Sequence, residues 1–323
     1  MRVAITGASG FVGGAIVRAV TARGDTWNGL TRRANAPLAG PGGTWIPGEL
    51  ADLDALVRLV RDADAVVHAA AWVHRDTPDP ASREACFAVN LRGTERVLEA
   101  VRKRGGVPLV FVSSTSVYGE AFEDRDEGGP HQPRNAYGES KRQAELAVLE
   151  FGRTRGTPVV VLRPAMVYGA GAPGNIARLA GFVRKGFAPL VAGGRNRKSL
   201  VHADDLAAAV LAAVDRAREV NGGVFNVASE PAPSMREVGD ALAVGLGRSV
   251  TWVPVPKFAW NAGAALGHLF AGGGRRPDLG RTMEVYASST TVRARAIVER
   301  LGVKFRDVKE GLAESVRGSA STS

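Results

Sequence analysis

Tyr137 and Lys141 are the two residues of this sequence whose types and spacing best suit proton transfer. They lie four residues apart in a stretch with helical periodicity, so both side chains project from one face of the helix. A tyrosine is a poor base at its ordinary pKa of about 10, but a neighbouring ammonium group stabilises the phenolate and lowers that pKa. Such pairs also occur by chance, and the alternative is a surface helix that carries an unrelated tyrosine and lysine.

Hydroxyl groups precede this pair in the chain, in the run from Ser113 to Ser116. The run follows an apolar stretch over residues 107–112 that is typical of a buried strand. Ligands of doubly wound sheets bind at the carboxyl ends of the strands. We therefore expect a hydroxyl of this run to hydrogen-bond the substrate oxygen whose proton Tyr137 removes.

Gly7, Gly10 and Gly13 predict a turn that binds phosphate groups, between a short apolar strand and an apolar helical pattern. Gly7 suits a tight turn, Gly10 lets phosphates approach the backbone, and Gly13 lets the helix pack closely on the strand. The spacing is G-x-x-G-x-x-G rather than G-x-G-x-x-G, and the alternative is a glycine-rich turn without a ligand. Its place between strand and helix favours dinucleotide binding, with a pyrophosphate at the helix N-terminus.

The end of the second predicted strand, Thr31-Arg32-Arg33, indicates which dinucleotide binds. A carboxylate there would hold the ribose 2′-hydroxyl of NAD, whereas an arginine accommodates the 2′-phosphate of NADP. The sequence has no acid at this point, so it favours NADP, with Arg32 as the contact. The alternative is a pair of surface arginines on a basic protein.

Strand and helix patterns alternate through the first half of the chain. Strands are predicted over residues 26–31, 44–46, 64–70, 107–112 and 158–162, and helices over residues 52–63, 82–104, 137–155, 203–218 and 234–246. Near-continuous apolar strands are typical of a parallel sheet covered on both faces. We predict a Rossmann-type doubly wound α/β fold, with an NAD(P)-binding domain over residues 1–168. Residues 169–323 are expected to form mainly a smaller substrate-binding lobe, with some segments returning to the Rossmann core.

Composition narrows the possible partners and compartment. The net charge of +10 is spread along the chain without a recognisable nucleic-acid-binding signature, and no metal site is predicted. The single cysteine, Cys86, forms no internal disulfide, so we expect a cytoplasmic protein. The apolar stretch from Phe258 to Ala271 is too short for a membrane span. We expect a buried helix there, and the alternative is a surface helix that touches a partner or a bilayer.

The chain resembles the extended short-chain dehydrogenases/reductases, the family that includes NAD(P)-dependent nucleotide-sugar epimerases and dehydratases. The matching motifs are spread over almost the whole chain, at residues 6–13, 48–50, 68–71, 90–94, 113–119, 137–141, 162–169 and 199–206. The resemblance implies catalysis by Ser114, Tyr137 and Lys141. It implies cofactor contacts from Gly7, Ser9, Gly10, Phe11, Val12, Gly13, Glu49, Leu50, Ala69, Ala70, Ala71, Asn90, Pro164 and Val167, besides Tyr137 and Lys141.

Three positions depart from the family pattern. Glu49 stands where the family more often has an aspartate. Sugar 4,6-dehydratases of the family carry an Asp-Glu pair directly after the catalytic threonine, and here Thr115 and Ser116 occupy those places. Neither can act as a carboxylate acid or base, so dehydratase activity is disfavoured.

Residues 174–179 and 196–201 are similar to bacterial enzymes that act at the 4-position of UDP-linked sugars in surface-polysaccharide assembly. The similarity implies that Asn175 and a cation, Lys198 or Arg197, hold the substrate diphosphate, while Ser114 and Thr115 contact the sugar. The alternative for this tract is a basic loop beside a helix. The similarity implies a UDP-sugar 4-epimerase or 4-ketoreductase, with homodimers formed through the helices over residues 82–104 and 137–155.

The region around residues 255–270 has a looser similarity to family members that oxidise hydroxysterols or reduce β-keto lipids. This is the second candidate function. A non-catalytic NAD(P)-binding regulator on the same fold is the third, and it is disfavoured because binding alone does not need Tyr137 and Lys141.

Overall fold

The computed structural model describes residues 1–33, 40–73, 80–255 and 287–317. The apolar stretch from Phe258 to Ala271 lies outside these residues. Within the described ranges, no helix has both the length and the hydropathy of a membrane span.

Parallel strands paired with helices form most of the described chain. The strands are β1 (Arg2–Thr6), β2 (Thr26–Thr31), β3 (Gly43–Pro47), β4 (Ala65–His68), β5 (Leu109–Val112), β6 (Phe122–Arg125), β7 (Val159–Pro164), β8 (Met166–Tyr168), β9 (Phe187–Leu190), β10 (Leu200–His202), β11 (Gly223–Val227), β12 (Thr251–Pro254) and β13 (Thr290–Val292). The α-helices are α1 (Phe11–Ala22), α2 (Leu53–Val60), α3 (Pro80–Phe87), α4 (Gly93–Arg104), α5 (Ala136–Arg155), α6 (Asn175–Arg184), α7 (Ala203–Asp215), α8 (Met235–Leu246), α9 (Arg295–Leu301) and α10 (Val308–Arg317).

Seven parallel strands form the central sheet, in the order β11-β7-β5-β4-β1-β2-β3. The order reverses between β1 and β4, which makes the carboxyl ends of these two strands the switch point of the sheet. Successive residues of β1 face opposite sides. Val3 and Ile5 join an apolar cluster with α1 and α7, whereas Ala4 joins one with α2, α4 and α5. The predicted Rossmann-type sheet is thereby confirmed.

A smaller lobe follows β7, and its described residues form short parallel strand pairs and three helices. β8 pairs with β10, and β9 pairs with β12. Helices α6, α8 and α10 pack around an apolar cluster that includes Tyr168, Leu179, Leu200, Leu242 and Leu312. The chain also returns to the large sheet after residue 168, because β11 pairs with β7 and α7 packs on α1. The boundary at residues 168 and 169 stays a prediction.

The predicted helix over residues 82–104 is a composite. A five-residue π-helical segment, Ala88–Arg92, joins α3 to α4. Such segments insert an extra residue into a helix and often mark functional sites. Here the segment contains Asn90, whose side chain is buried.

Candidate active site

The glycine turn lies at the switch point, between β1 and α1. Gly7 has a φ of +76°, and Gly10 donates its N–H to the Gly7 carbonyl at 2.9 Å. A Cβ on Gly13 would lie 1.9 Å from the Gly7 oxygen, and one on Gly7 would lie 2.7 Å from the Ala70 nitrogen. Hydrogen at these two Cα positions therefore lets α1 and the end of β4 pack directly on the turn, as the spacing predicts.

The start of α1 can hold an anion. Gly10 is its N-terminal cap and offers no side-chain acceptor, and the first turn contains no acidic residue. The first backbone N–H groups and the positive end of the helix dipole are therefore directed at whatever lies before the helix. Ser9 and Gly10 are exposed, and Phe11 and Val12 are partly exposed. This cradle fits the diphosphate of a dinucleotide.

His68, the last residue of β4, is buried beside the glycine turn and is held between two threonines. Its Nδ1 lies 2.6 Å from the Thr6 hydroxyl, and its Nε2 lies 2.9 Å from the Thr94 hydroxyl. Thr94 donates its own proton to the Asn90 carbonyl, so it must accept from Nε2–H of His68. Burial, assisted by the charge of Lys141, lowers the pKa of His68 to about 3. His68 is therefore a neutral, fixed ring.

Asn90 fixes the loop that follows β4. Its Oδ1 accepts from the Trp72 nitrogen at 2.7 Å, and its Nδ2 donates to the Trp72 carbonyl at 3.1 Å and to the Ser140 hydroxyl at 3.0 Å. The buried Cys86 thiol lies 3.3 Å from the same Ser140 hydroxyl. Asn90 thus connects the loop that ends at Trp72 with the helix that carries Tyr137 and Lys141. Its predicted contact with the cofactor stays a prediction.

Tyr137, Ser114 and Lys141 come together between β5 and α5. The Ser114 side chain lies near the Tyr137 phenol and lowers its pKa, but burial outweighs this effect and raises that pKa to about 12. Ser114 lies two residues after the end of β5 and accepts from the Ser116 nitrogen at 3.1 Å. Tyr137 is therefore protonated at neutral pH and depends on a nearby positive charge to act as a base.

Lys141 is 1% exposed and lies one turn after Tyr137 on α5. Its ammonium group donates to the Val112 carbonyl at 2.6 Å and lies 4.1 Å above the centre of the Phe111 ring. Burial lowers the pKa of Lys141 to about 7, and the nearby carboxylate of Glu145 opposes this shift. The lysine therefore has a pKa within the working range of an enzyme.

The start of α5 is shaped to bring this pair against β5. Asn135 caps the helix by accepting from the Gly138 nitrogen at 2.8 Å. A Cβ on Gly138 would lie 2.6 Å from the Ser116 carbonyl oxygen. Gly138 thus permits the first turn of α5 to touch the turn that carries Ser114.

Glu145 and Arg163 form a buried ion pair next to the site. The sequence analysis did not predict this pair. The two side chains are 5% and 3% exposed. Ser113 donates its hydroxyl to Glu145 at 2.8 Å, and Arg163 donates to the Tyr118 hydroxyl at 2.7 Å. The pair therefore joins α5, β7 and the end of β5. Its sequence signal was a charged residue inside the apolar strand β7.

The residues predicted to hold the substrate diphosphate lie in the smaller lobe. Asn175 is the first residue of α6. The guanidinium group of Arg197 is bonded to the Ala232 carbonyl at 2.9 and 2.6 Å. Lys198 is 7% exposed, and burial lowers its pKa to about 8. The predicted diphosphate contacts of Asn175 and of Lys198 or Arg197 stay predictions.

The remaining predicted cofactor residues are spread along the carboxyl edge of the sheet. Arg32 is exposed directly after β2. Glu49 is exposed, and Leu50 packs against the start of α4. Pro164 ends β7, and Val167 lies in β8.

The chain is similar to known proteins over most of its length. Residues 3–228 match the model of the NAD-dependent epimerase/dehydratase family. A UDP-glucose 4-epimerase of Vibrio cholerae is 29% identical over 88% of this chain and 87% of its own length. An N-acetyl-α-D-glucosaminyl-diphospho-ditrans,octacis-undecaprenol 4-epimerase of Escherichia coli O157:H7 is 30% identical over 65% of this chain. That alignment spans 62% of the E. coli relative, which is less than two thirds of its length.

The fold is likewise shared with a solved structure. MoeE5 in complex with UDP-glucose and NAD superposes with a TM-score of 0.78 and 26% identity, over 99% of this chain and 98% of MoeE5. The resemblance to the extended short-chain dehydrogenases/reductases and the prediction of an enzyme are both confirmed. This chain belongs to the NAD-dependent epimerase/dehydratase family.

Proposed function

We propose that this protein is a 4-epimerase of sugars linked to a diphosphate, with UDP-sugars as the first substrates to test. The observation that carries the proposal is the contact of Tyr137 with Ser114, one helical turn from the buried ammonium of Lys141. The relation to the V. cholerae UDP-glucose 4-epimerase supports the substrate class. The diphosphate carrier is a nucleotide or, as the name of the E. coli relative states for that enzyme, undecaprenol.

In this mechanism the protein's own groups move and hold one proton. Tyr137 removes the proton of the sugar hydroxyl, and Ser114 hydrogen-bonds the same oxygen. The ammonium of Lys141 stabilises the phenolate that Tyr137 becomes. Asn175 and Lys198 hold the diphosphate through charge-assisted hydrogen bonds. When bound at the glycine turn, the nicotinamide dinucleotide would accept the hydride of the sugar carbon and return it to the opposite face of the keto sugar. Tyr137 then returns its proton to the sugar oxygen, so the net reaction leaves the cofactor unchanged.

A 4-ketoreductase is the second candidate, and Arg32 favours it. Arg32 is exposed directly after β2, where the adjacent sequence offers no carboxylate for the ribose of NAD. A ketoreductase consumes one reduced cofactor for each sugar, and NADPH suits that stoichiometry. We propose NADP as the preferred cofactor in that case.

The proposal is tested with Tyr137→Phe, with Tyr168→Phe as its matched control. Loss of the acid–base group is expected to lower turnover by about 10²–10⁴-fold while cofactor binding is retained. Tyr168 lies in the lobe core, and its hydroxyl lies 3.5 Å from the Val308 carbonyl, so its removal should leave turnover nearly unchanged. Full activity of Tyr137→Phe would refute the catalytic assignment.

The reaction itself is distinguished by its products. Protein incubated with UDP-N-acetylhexosamine and no added cofactor should interconvert the gluco and galacto forms if it is an epimerase. NADPH consumption only with a 4-keto sugar identifies the ketoreductase. Turnover of a hydroxysterol or a β-keto lipid, with neither sugar reaction, contradicts the proposal.

We also propose that α4 and α5 form a homodimer interface. Leu146 of α5 is 51% exposed, which supports an apolar contact there. A mass in solution of twice that of one chain is expected for the homodimer.

A further inference from the structure

The smaller lobe carries an unusual share of the positive charge. Residues 169–203 contain six arginine and lysine residues and no aspartate or glutamate. The whole chain has a net charge of +10, so this segment of about one tenth of the chain supplies more than half of it. The segment includes α6, β9 and β10. A concentration of one sign on this one segment of the lobe indicates an anionic partner.

Exposed apolar side chains lie within the same segment. Phe182 of α6 and Phe187 of β9 are 39% and 40% exposed, and their ring centres are 5.7 Å apart. Val253 of β12 is 46% exposed and lies beside Pro189 of β9 in the parallel register. Residues 187, 189, 251 and 253 share one face of this two-stranded sheet because side chains alternate along a strand. Ala188, on the other face, packs into the core of the lobe.

Cations flank these apolar residues. Lys185 lies in the turn between Phe182 and Phe187 and is exposed. Arg178 is exposed and precedes Phe182 by one turn on the same side of α6. We call the surface formed by these residues the α6–β9 face: Arg178, Phe182, Lys185, Phe187, Pro189 and Val253.

Aromatic and aliphatic side chains among cations match the boundary region of an anionic bilayer. Apolar side chains enter the boundary between headgroups and acyl chains, and lysine and arginine meet the lipid phosphates. Nucleic acid is also anionic, but Pro189 and Val253 offer its phosphate backbone no contact. The Phe182 and Phe187 rings are packed against each other at 55° rather than presented as platforms for bases.

The position of the face relates it to the active site. Phe182 lies seven residues after Asn175 on α6, which places it about 10 Å farther along the helix. A diphosphate held at Asn175 would therefore lie about one helical turn from Arg178 and about two turns from Phe182 of the α6–β9 face. We propose that the α6–β9 face docks on an anionic phospholipid bilayer, where it receives the lipid-carried form of the diphosphate-linked sugar. This inference rests on the proposed function for its substrate, but the docking itself is measured independently.

The experiment is cosedimentation with phosphatidylcholine vesicles that contain or omit phosphatidylglycerol. The unmodified protein should bind the phosphatidylglycerol vesicles, and an excess of salt should release it because the cationic contribution is screened. The double variant Lys185→Glu/Phe187→Ser should bind them at least about tenfold more weakly, since each basic residue near the surface contributes about one factor of five to ten.

The matched control is Arg295→Glu/Val298→Ser on α9. It changes the net charge and the exposed apolar area in the same way, because Arg295 is exposed and Val298 is 46% exposed. Helix α9 packs against α7 and β11 of the large sheet instead of the lobe. We call Lys185→Glu/Phe187→Ser the α6–β9 variant. The proposal is supported if the control still binds the vesicles and the α6–β9 variant does not. If both variants lose vesicle binding equally, the vesicles attract the basic protein as a whole, and the proposal is overturned.

Other results also overturn the docking assignment. One is that the unmodified protein does not bind the vesicles. Another is that the α6–β9 variant has a smaller mass in solution but binds vesicles as before, which assigns the face to a second copy of the chain. A third is that single-stranded RNA displaces the protein from the vesicles while Phe187→Ser does not change vesicle binding, which assigns the face to nucleic acid.

Failure of the proposed function is a separate result. Tyr137→Phe should bind vesicles normally and lose turnover, whereas the α6–β9 variant should turn over a UDP-sugar normally and lose vesicle binding. Normal cofactor binding by the variant shows that it is folded.

Discussion

Glu145→Gln is expected to lower the free energy of unfolding by about 3–5 kcal/mol, because it leaves the buried Arg163 guanidinium without its opposite charge. Arg163 is 3% exposed, so water cannot replace the lost carboxylate. Glutamine keeps the shape of the side chain and removes the charge. Since folded proteins are typically stable by about 5–15 kcal/mol, this single change should remove a large share of the stability.

Urea denaturation followed by circular dichroism measures this cost. At a slope of about 2–3 kcal/mol/M, the midpoint should fall by about 1–2 M. The double variant Glu145→Gln/Arg163→Met removes both charges and should be more stable than the sum of the two single losses predicts. That difference is the coupling energy of the pair.

Glu150→Gln is the matched control, because Glu150 lies on the same helix and pairs with Arg153 in solvent. It should leave the urea midpoint nearly unchanged, since exposed ion pairs contribute little. If Glu145→Gln destabilises no more than this control, or if the two single losses are additive, the reasoning about the buried pair is wrong.

Three further predictions concern the cofactor cradle. Arg32→Ala should weaken NADP binding about tenfold to a hundredfold and NAD binding much less, and a fluorescence titration that shows equal losses would make Arg32 a surface residue. Gly13→Ala should abolish cofactor binding, because the added Cβ would lie 1.9 Å from the Gly7 oxygen, whereas the Cβ of the control Gly14→Ala meets nothing closer than 3.9 Å. Burial lowers the pKa of His68 from 6.5 to about 3, so between these pH values the unfolded chain binds a proton that the folded chain does not. Stability should therefore be lost as the pH falls through that window. His68→Asn should have a flatter acid unfolding curve, and an unchanged curve would exclude His68 as the cause.

Local spacing was enough to predict the glycine turn, the Tyr137–Lys141 pair and the parallel sheet. These features depend on neighbours within a few residues of each other or on apolar periodicity. The pairing of Glu145 with Arg163 was not predicted, because it depends on β7 lying beside β5 and beneath α5. The π-helical segment at Ala88–Arg92 was missed for a related reason, since the residues on either side of it have the same helical pattern.

The proposed mechanism needs the charge of Lys141 to be available to Tyr137, and two groups near the lysine bear on this, His68 and the Glu145–Arg163 pair. A charged His68 would repel the ammonium, but burial, assisted by Lys141 itself, lowers the pKa of His68 to about 3, so the ring between Thr6 and Thr94 is neutral. A lone carboxylate at Glu145 would form a tight ion pair with Lys141, but Arg163 already binds it through two oxygens. The histidine therefore presents no charge to the lysine, while the Glu145 carboxylate still raises the pKa of Lys141 but is itself bound to Arg163. Lys141 is bonded to a carbonyl and an aromatic face rather than to an acid, so its charge can stabilise the phenolate of Tyr137.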